Sequence, residues 1–233
     1  MTDQKRQLIA RPGLSKRHDG AEALLNAGEK LFALRGIDAV SMREIAREAG
    51  HRNNSAIAYH FGSKEELVYQ LIRKRMIATD RKRGAFLDEI EAANRQNDIR
   101  SLAEALVRPL AANLLTGRTT RYLRVLAAAQ AHPGLDLVAA TRDLGRDGFR
   151  RVFIHLREQL PDVPEIILRQ RFLSMVSYMI FSLADFERIK ARRKKGPREF
   201  NTERAVENLI DMIAGALSAE PSAEVLETIR DQK

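Results

Sequence analysis

Four consecutive polar residues, Arg52, Asn53, Asn54 and Ser55, carry the most specific chemistry in this 233-residue chain. A guanidinium pairs bidentately with guanine and a carboxamide with adenine in the DNA major groove, so this set is suited to reading base edges. Groups suited to a nucleic-acid backbone lie on either side: Ser41 and Arg43 ahead, Tyr59, His60 and Lys64 behind. Some have a second reading. Arg43 equally suits a solvated surface charge, Tyr59 can pack among helices, and Tyr59 beside His60 invites a catalytic role.

Residues 41–67 must position these groups. Ser41 with Glu44 forms a capping box, in which the hydroxyl takes an orphan backbone N–H and the carboxylate reaches back. The helix it opens runs to about Ala49 and ends at Gly50, because glycine takes the left-handed C-cap conformation without steric cost. Polar residues 51–55 make a turn, and Asn54 or Ser55 caps a second helix through Ala56, Ile57, Tyr59 and His60. Gly62 breaks it, and Ser63 with Glu66 opens the next helix. A short capped helix, a tight turn and a second short helix with a polar N-terminus is a helix-turn-helix, whose second helix enters the major groove. Ile57 and Phe61 belong to its core. Lys64, at the start of the following helix, adds an ammonium to a helix N-terminus, which favours anions.

The stretch resembles the TetR family of transcriptional regulators. Ile45-Ala46, Ala49-Gly50, Tyr59-His60-Phe61 and Ser63-Lys64-Glu65-Glu66-Leu67 carry the likeness in order and spacing. There is one departure: residues 51–55 make a longer turn than the family's and lack its glycine. The resemblance implies that Lys64 grips a phosphate. It also implies a homodimer built on the last two long helices, a DNA operator of near-palindromic form, and release by a small molecule.

Bulk properties fit this. Apolar residues make up 44% of the chain and charged residues 30%, as in a soluble helix-rich protein. The formal charge is +9, and residues 1–83 hold 17 Lys and Arg against 10 Asp and Glu. A basic N-terminal third is the electrostatic footprint of a module that meets phosphates. There is no cysteine, hence no disulfide and no thiolate nucleophile. The N-terminus lacks the apolar core of a signal peptide, and residues 172–186 fall short of the roughly 18 apolar residues that span a bilayer. A cytoplasmic, bacterial protein without a membrane partner is expected.

Taken in order, residues 1–18 read as a disordered basic arm, either a solubilising tail or a minor-groove contact. Residues 19–83 read as the DNA-binding domain with its connector helix, the first helix starting at Asp19 and Gly84 marking a kink. Residues 84–219 read as a helical ligand-binding and dimerisation domain, and 220–233 as a tail. Within the body, Ser101 with Glu104 suggests a third capping box, Pro109 should kink its helix, and one helix should run from Thr141 to Leu160. Asp162 is the expected cap of the long helix 164–192, whose centre is apolar nearly all round, as in a helix buried on several sides.

In that body Met175, Tyr178, Met179 and Phe181 are candidates to line a ligand cavity, with Tyr122 and His155 as polar anchors; ordinary core packing is their other reading. Ser174, with Ser177 and Ser182 on the same helix, permits close helix approach, either of a partner subunit or beside a pocket. Ile210, Ile213 and Leu217 form an apolar face consistent with a dimer interface. The mostly apolar body suggests a hydrophobic or amphipathic effector. The five histidines show no metal-ligand spacing, and no nucleophile elbow, Walker loop or dinucleotide fingerprint occurs, so no cofactor, metal or enzymatic activity is expected. Three readings stand: a ligand-released repressor; a DNA-binding regulator without ligand control, or an activator; and a helical metabolite-binding protein or enzyme with a vestigial DNA head.

Overall fold

The computed structural model describes residues 12–51, 55–116, 121–145, 147–192 and 200–230. Among them are eleven α-helices and no strand, the all-α architecture expected. The chain divides into two compact units, Met1–Leu71 and Ile72–Lys233, each taken by itself below. The border falls inside the connector helix, earlier than the residue 83 boundary assigned from sequence.

The first unit holds α1 (Pro12–Arg35), α2 (Met42–Glu48), α3 (Ser55–Phe61) and the opening turns of α4 (Lys64–Ala92). Helix α1 starts well ahead of Asp19, with a proline at its first position, where the missing N–H costs nothing. Residues 1–11, most of the expected arm, lie outside the described residues. Leu24, Ala27 and Phe32 of α1, Ile45 and Ala46 of α2, Ile57 of α3, and Leu67, Val68 and Leu71 of α4 are all buried together. Gly28 permits this closeness: a Cβ there would lie 2.8 Å from Leu67 Cδ2. Two ion pairs tie α1 to α2, Lys30 to Glu48 at 2.5 Å and Arg35 to Glu44 at 2.6 Å.

The second unit holds the remainder of α4, then α5 (Ile99–Leu115), α6 (Tyr122–Gln130), α7 (Leu137–Ala140), α8 (Asp147–Gln159), α9 (Glu165–Ala191), α10 (Thr202–Ser218) and α11 (Ala223–Arg230). Helix α10 lies along α5 and α9, α9 packs on α6 as well, and α8 packs on α5 and α9. Leu102, Leu106, Leu114, Leu156, Leu168, Leu183, Val206 and Ile210 fill the space between them.

Several local expectations change. Helix α4 passes Gly84 without a break. The cap of α5 is Asp98, whose carboxylate accepts from the N–H groups of Arg100 and Ser101 at 3.1 Å and the Ser101 hydroxyl at 2.8 Å. Glu104 is therefore no capping residue. It pairs with Arg100 at 2.5 Å, and Arg100 and Arg108 both reach Glu207 of α10 at 2.6 Å. The helix expected from Thr141 begins only at Asp147, because Thr141 closes α7 by donating its hydroxyl to the Leu137 carbonyl at 2.6 Å. Pro164, not Asp162, precedes the first residue of α9.

Helix α9 is not enclosed on all sides. By length and composition it is long and apolar enough to cross a bilayer, further than the count over residues 172–186 suggested. In the fold it buries Leu168, Met179 and Leu183, and pairs its buried Glu187 with Arg124 of α6 at 3.1 Å. Another face stays open: Tyr178 is 38% exposed and Phe181 46%, while Leu173, also exposed, stands at the wall of the cavity described below. On α10 beside it Met212 is 48% exposed and accepts from the Tyr178 hydroxyl at 3.5 Å.

Candidate nucleic-acid interface and effector cavity

In the first unit the capping box at Ser41 is complete. The Ser41 N–H and hydroxyl donate to Glu44 Oε2 at 2.9 and 2.8 Å, and the Glu44 N–H donates back to Ser41 Oγ at 3.3 Å. Bonds from the Ser41 N–H, the Arg35 guanidinium and the Ser41 hydroxyl hold the Glu44 carboxyl at about 2, far below its ordinary value. The Ser41 hydroxyl, expected on a phosphate, is thus engaged inside the cap. Arg43, one turn position on, is exposed.

Two glycines bound the turn and α3, both left-handed: Gly50 at φ +82° and Gly62 at φ +75°. An L side chain at either position would be strained. Arg52, Asn53 and Asn54 lie outside the described residues. Ser55 opens α3. Tyr59 is 65% exposed, so it is not packed within the head. His60 behaves otherwise: its Nε2 would lie 3.4 Å from a Cβ at Gly20 of α1, and its ring meets Tyr59 edge-on at 5.1 Å. It is half-buried, between α1 and the exposed Tyr59. The Lys64 ammonium donates to the carbonyls of Ile37 at 3.1 Å and Val40 at 3.4 Å. It ties α4 to the link before α2, and an ammonium's three donors leave one for another acceptor.

The second unit contains a cavity of about 160 Å³ whose walls come from α4, α5, α6, α8, α9 and the segment after α7. Phe149, Phe172, Leu126 and Met179 supply much of its apolar lining. Its polar corner is Asp80 and Arg83. Arg83 is 1% exposed and pairs with Asp80 at 3.0 Å. Asp80 also accepts from the N–H groups of Gly148 and Phe149 at 3.1 and 3.3 Å, the start of α8. Burial pushes the Arg83 guanidinium below its ordinary value, while Asp80 pulls it up. The Phe149 ring covers the guanidinium at 3.8 Å.

Of the expected ligand residues, Tyr122 and Met179 line this cavity. His155 does not: it bonds Glu91 at 2.8 Å and Glu158 at 3.3 Å, away from it. Met175 is half-buried outside the lining, and Tyr178 and Phe181 belong to the open face of α9. Ile210, Ile213 and Leu217, expected at a dimer interface, are instead fully buried within the subunit, against its own helices. Ser174 is exposed on α9. The sequence reading missed Asp80, Arg83, Phe149 and Phe172. One signal was available: Pro109 inside a helix requires some other donor for a carbonyl. Among the described residues no group of His, Asp or Glu gathers as a metal site.

A helix-turn-helix head joined to a helical body with an internal cavity defines a class, the effector-binding transcriptional regulators. Residues 24–71 match the family described as bacterial regulatory proteins, tetR family, and residues 104–216 match the tetracyclin repressor-like C-terminal domain, together well over half of the chain. The chain belongs to the TetR family, DNA-binding regulators with a ligand-binding C-terminal domain, in which dimerisation and a repressor role are typical. Membership favours the regulator over the metabolite-binding or enzymatic readings.

No curated protein matches the chain in sequence. Among solved structures it is similar to NalD of Pseudomonas aeruginosa, the secondary repressor of the MexAB-OprM multidrug efflux pump. The TM-score is 0.54 at 18% identity, over 85% of this chain and 95% of that one. A putative tetR-family transcriptional regulator from Mesorhizobium loti MAFF303099 aligns at TM-score 0.52 and 16% identity, over 87% and 96%. The fatty acid degradation regulator FadR from Bacillus halodurans aligns at 0.51 and 14%, over 83% and 97%. At these identities the likeness shows the fold.

Proposed function

We propose that the chain is a cytoplasmic homodimeric repressor, released from a near-palindromic operator when a small molecule enters the cavity of the second unit. The observation that carries this is the pairing of a capped helix-turn-helix with a cavity walled in part by α4, the same continuous helix that leaves the head. Residues 52–55 would meet base edges, and Arg43, Tyr59 and the remaining donor of Lys64 would meet phosphates. The exposed side chains Tyr178, Phe181 and Met212, with Ser174 on the same helix, support an interface across α9 and α10 of two subunits. Exposed apolar patches of this kind mark interaction surfaces. A ligand that prefers the DNA-incompetent arrangement by a few kcal/mol shifts occupancy strongly.

The test is selection of bound fragments from the source genome by the purified protein at about 150 mM salt, where bare phosphate attraction is screened. Enrichment of one inverted repeat is expected. Recovery of random fragments that vanish as salt rises would refute the reading.

A further inference from the structure

Two side chains that the fold leaves exposed stand in the cavity wall. Ile77 of α4 is 45% exposed and Leu173 of α9 61%. With the exposed Gly145 they mark where the cavity reaches the surface, and none of the three carries a charge. Deeper in, the ionised groups of the lining are Asp80 and Arg83. Both are already engaged. The Asp80 carboxylate accepts from the Arg83 guanidinium and from the N–H groups of Gly148 and Phe149. Arg83 also donates to the Ala105 and Leu106 carbonyls, and the Phe149 ring covers it. A Cβ at Gly148 would lie 2.9 Å from Asp80 Oδ1 and 3.1 Å from Arg83 Cγ, so the start of α8 packs directly against the pair.

Resting on the reading of the second unit as the effector-binding part, we propose that the effector is an uncharged apolar molecule, about the size of one substituted benzene ring, that enters beside Ile77 and Leu173. The size follows from the volume, since an apolar cavity of about 150 Å³ accommodates benzene. The absence of charge follows from the closed pair. An anion would need Arg83, and taking it would leave the Asp80 carboxylate buried without its cation. A cation would need Asp80 and would leave Arg83 in the same state. Breaking a buried pair in this way is strongly unfavourable. An uncharged molecule disturbs neither group. Its binding is driven by the apolar area that it and the wall remove from water, including the exposed parts of Ile77 and Leu173.

Titration calorimetry on the full chain with toluene, benzoate and benzylamine tests this, because the three share one ring and differ in the charge of its substituent. Toluene should bind at one saturable site, and the two ions at least about tenfold more weakly. Val176→Trp, which fills the cavity, should remove toluene binding while the helical signal persists. Leu173→Ala should weaken toluene about threefold with an unchanged thermal midpoint, since that side chain is exposed until a ligand covers it. Absence of toluene binding, equal binding of either ion, or indifference to either substitution would overturn the proposal. The operator selection involves no ligand, so the two fail separately. An enriched repeat without toluene binding removes only the ligand class, and toluene binding without a repeat removes only the regulator.

Discussion

Arg83 Nε donates to the Ala105 carbonyl at 3.1 Å, and Ala105 is the residue whose helical partner would be the missing N–H of Pro109. Arg83 Nη2 reaches the next carbonyl, Leu106, at 3.3 Å. A buried guanidinium from α4 thus replaces the one hydrogen bond that Pro109 removes from α5, and the same side chain holds Asp80, which accepts from the start of α8.

This relationship predicts coupling between positions 83 and 109. Arg83→Met should lower unfolding free energy by about 3–5 kcal/mol, the range for removing one partner of a buried pair. Pro109→Ala restores an N–H for Ala105, so it should recover more stability in the Arg83→Met background than in the wild type. Chemical denaturation of the four proteins checks this, and additive effects would disprove the replacement.

Glu44 gives a pH signature. Its carboxyl is held at about 2 in the fold against an ordinary value of 4.5. The unfolded chain therefore binds this proton first, so the stabilisation is complete above about 4.5 and is lost as pH falls toward 2. The thermal midpoint of the wild type should exceed that of Glu44→Gln at neutral pH, and the gap should close between those limits. A gap independent of pH would contradict the assignment.

At the face of α9 and α10, Phe181→Arg should yield monomers by light scattering with unchanged helicity, since that side chain is open in the subunit. Ile213→Arg should instead lose the helical signal, because Ile213 is fully enclosed. A dimer that survives Phe181→Arg would place the interface elsewhere.

In the head, Arg43→Ala should weaken operator binding nearly uniformly across sequences and reduce the salt slope by about one, the mark of a lost phosphate contact. An unchanged slope returns Arg43 to a solvated surface charge. Lys64→Met should do more. It removes two hydrogen bonds to the link before α2, so both the slope and the melting of the head should change.

Features set by neighbours in sequence were legible in advance. The Ser41–Glu44 box and the left-handed Gly50 and Gly62 need only local geometry, and all three are present. What depends on the partner was not. An apolar stripe such as Ile210, Ile213 and Leu217 declares that it will be covered, but not by which subunit. Arg83 ends the run Arg81-Lys82-Arg83 and looks like its solvated neighbours, because nothing local records that Pro109 needs its donor. Ser101 and Asp98 both suit a cap; Asp98 takes the role and accepts from the Ser101 N–H and hydroxyl, while Glu104 bonds Arg100. In the cavity, Phe149 and Phe172 come from two helices that only the tertiary fold makes neighbours.

The open strip of Tyr178, Phe181 and Met212 also bears on how the molecule's robustness should be expressed. Pairing that covers such a surface stabilises the folded chain by mass action. Under the proposed pairing, the melting temperature becomes a function of how much protein is in the tube. It rises on concentration and falls on dilution, and a single subunit in a thinly expressing cell is a weaker object than the same sequence at the bench.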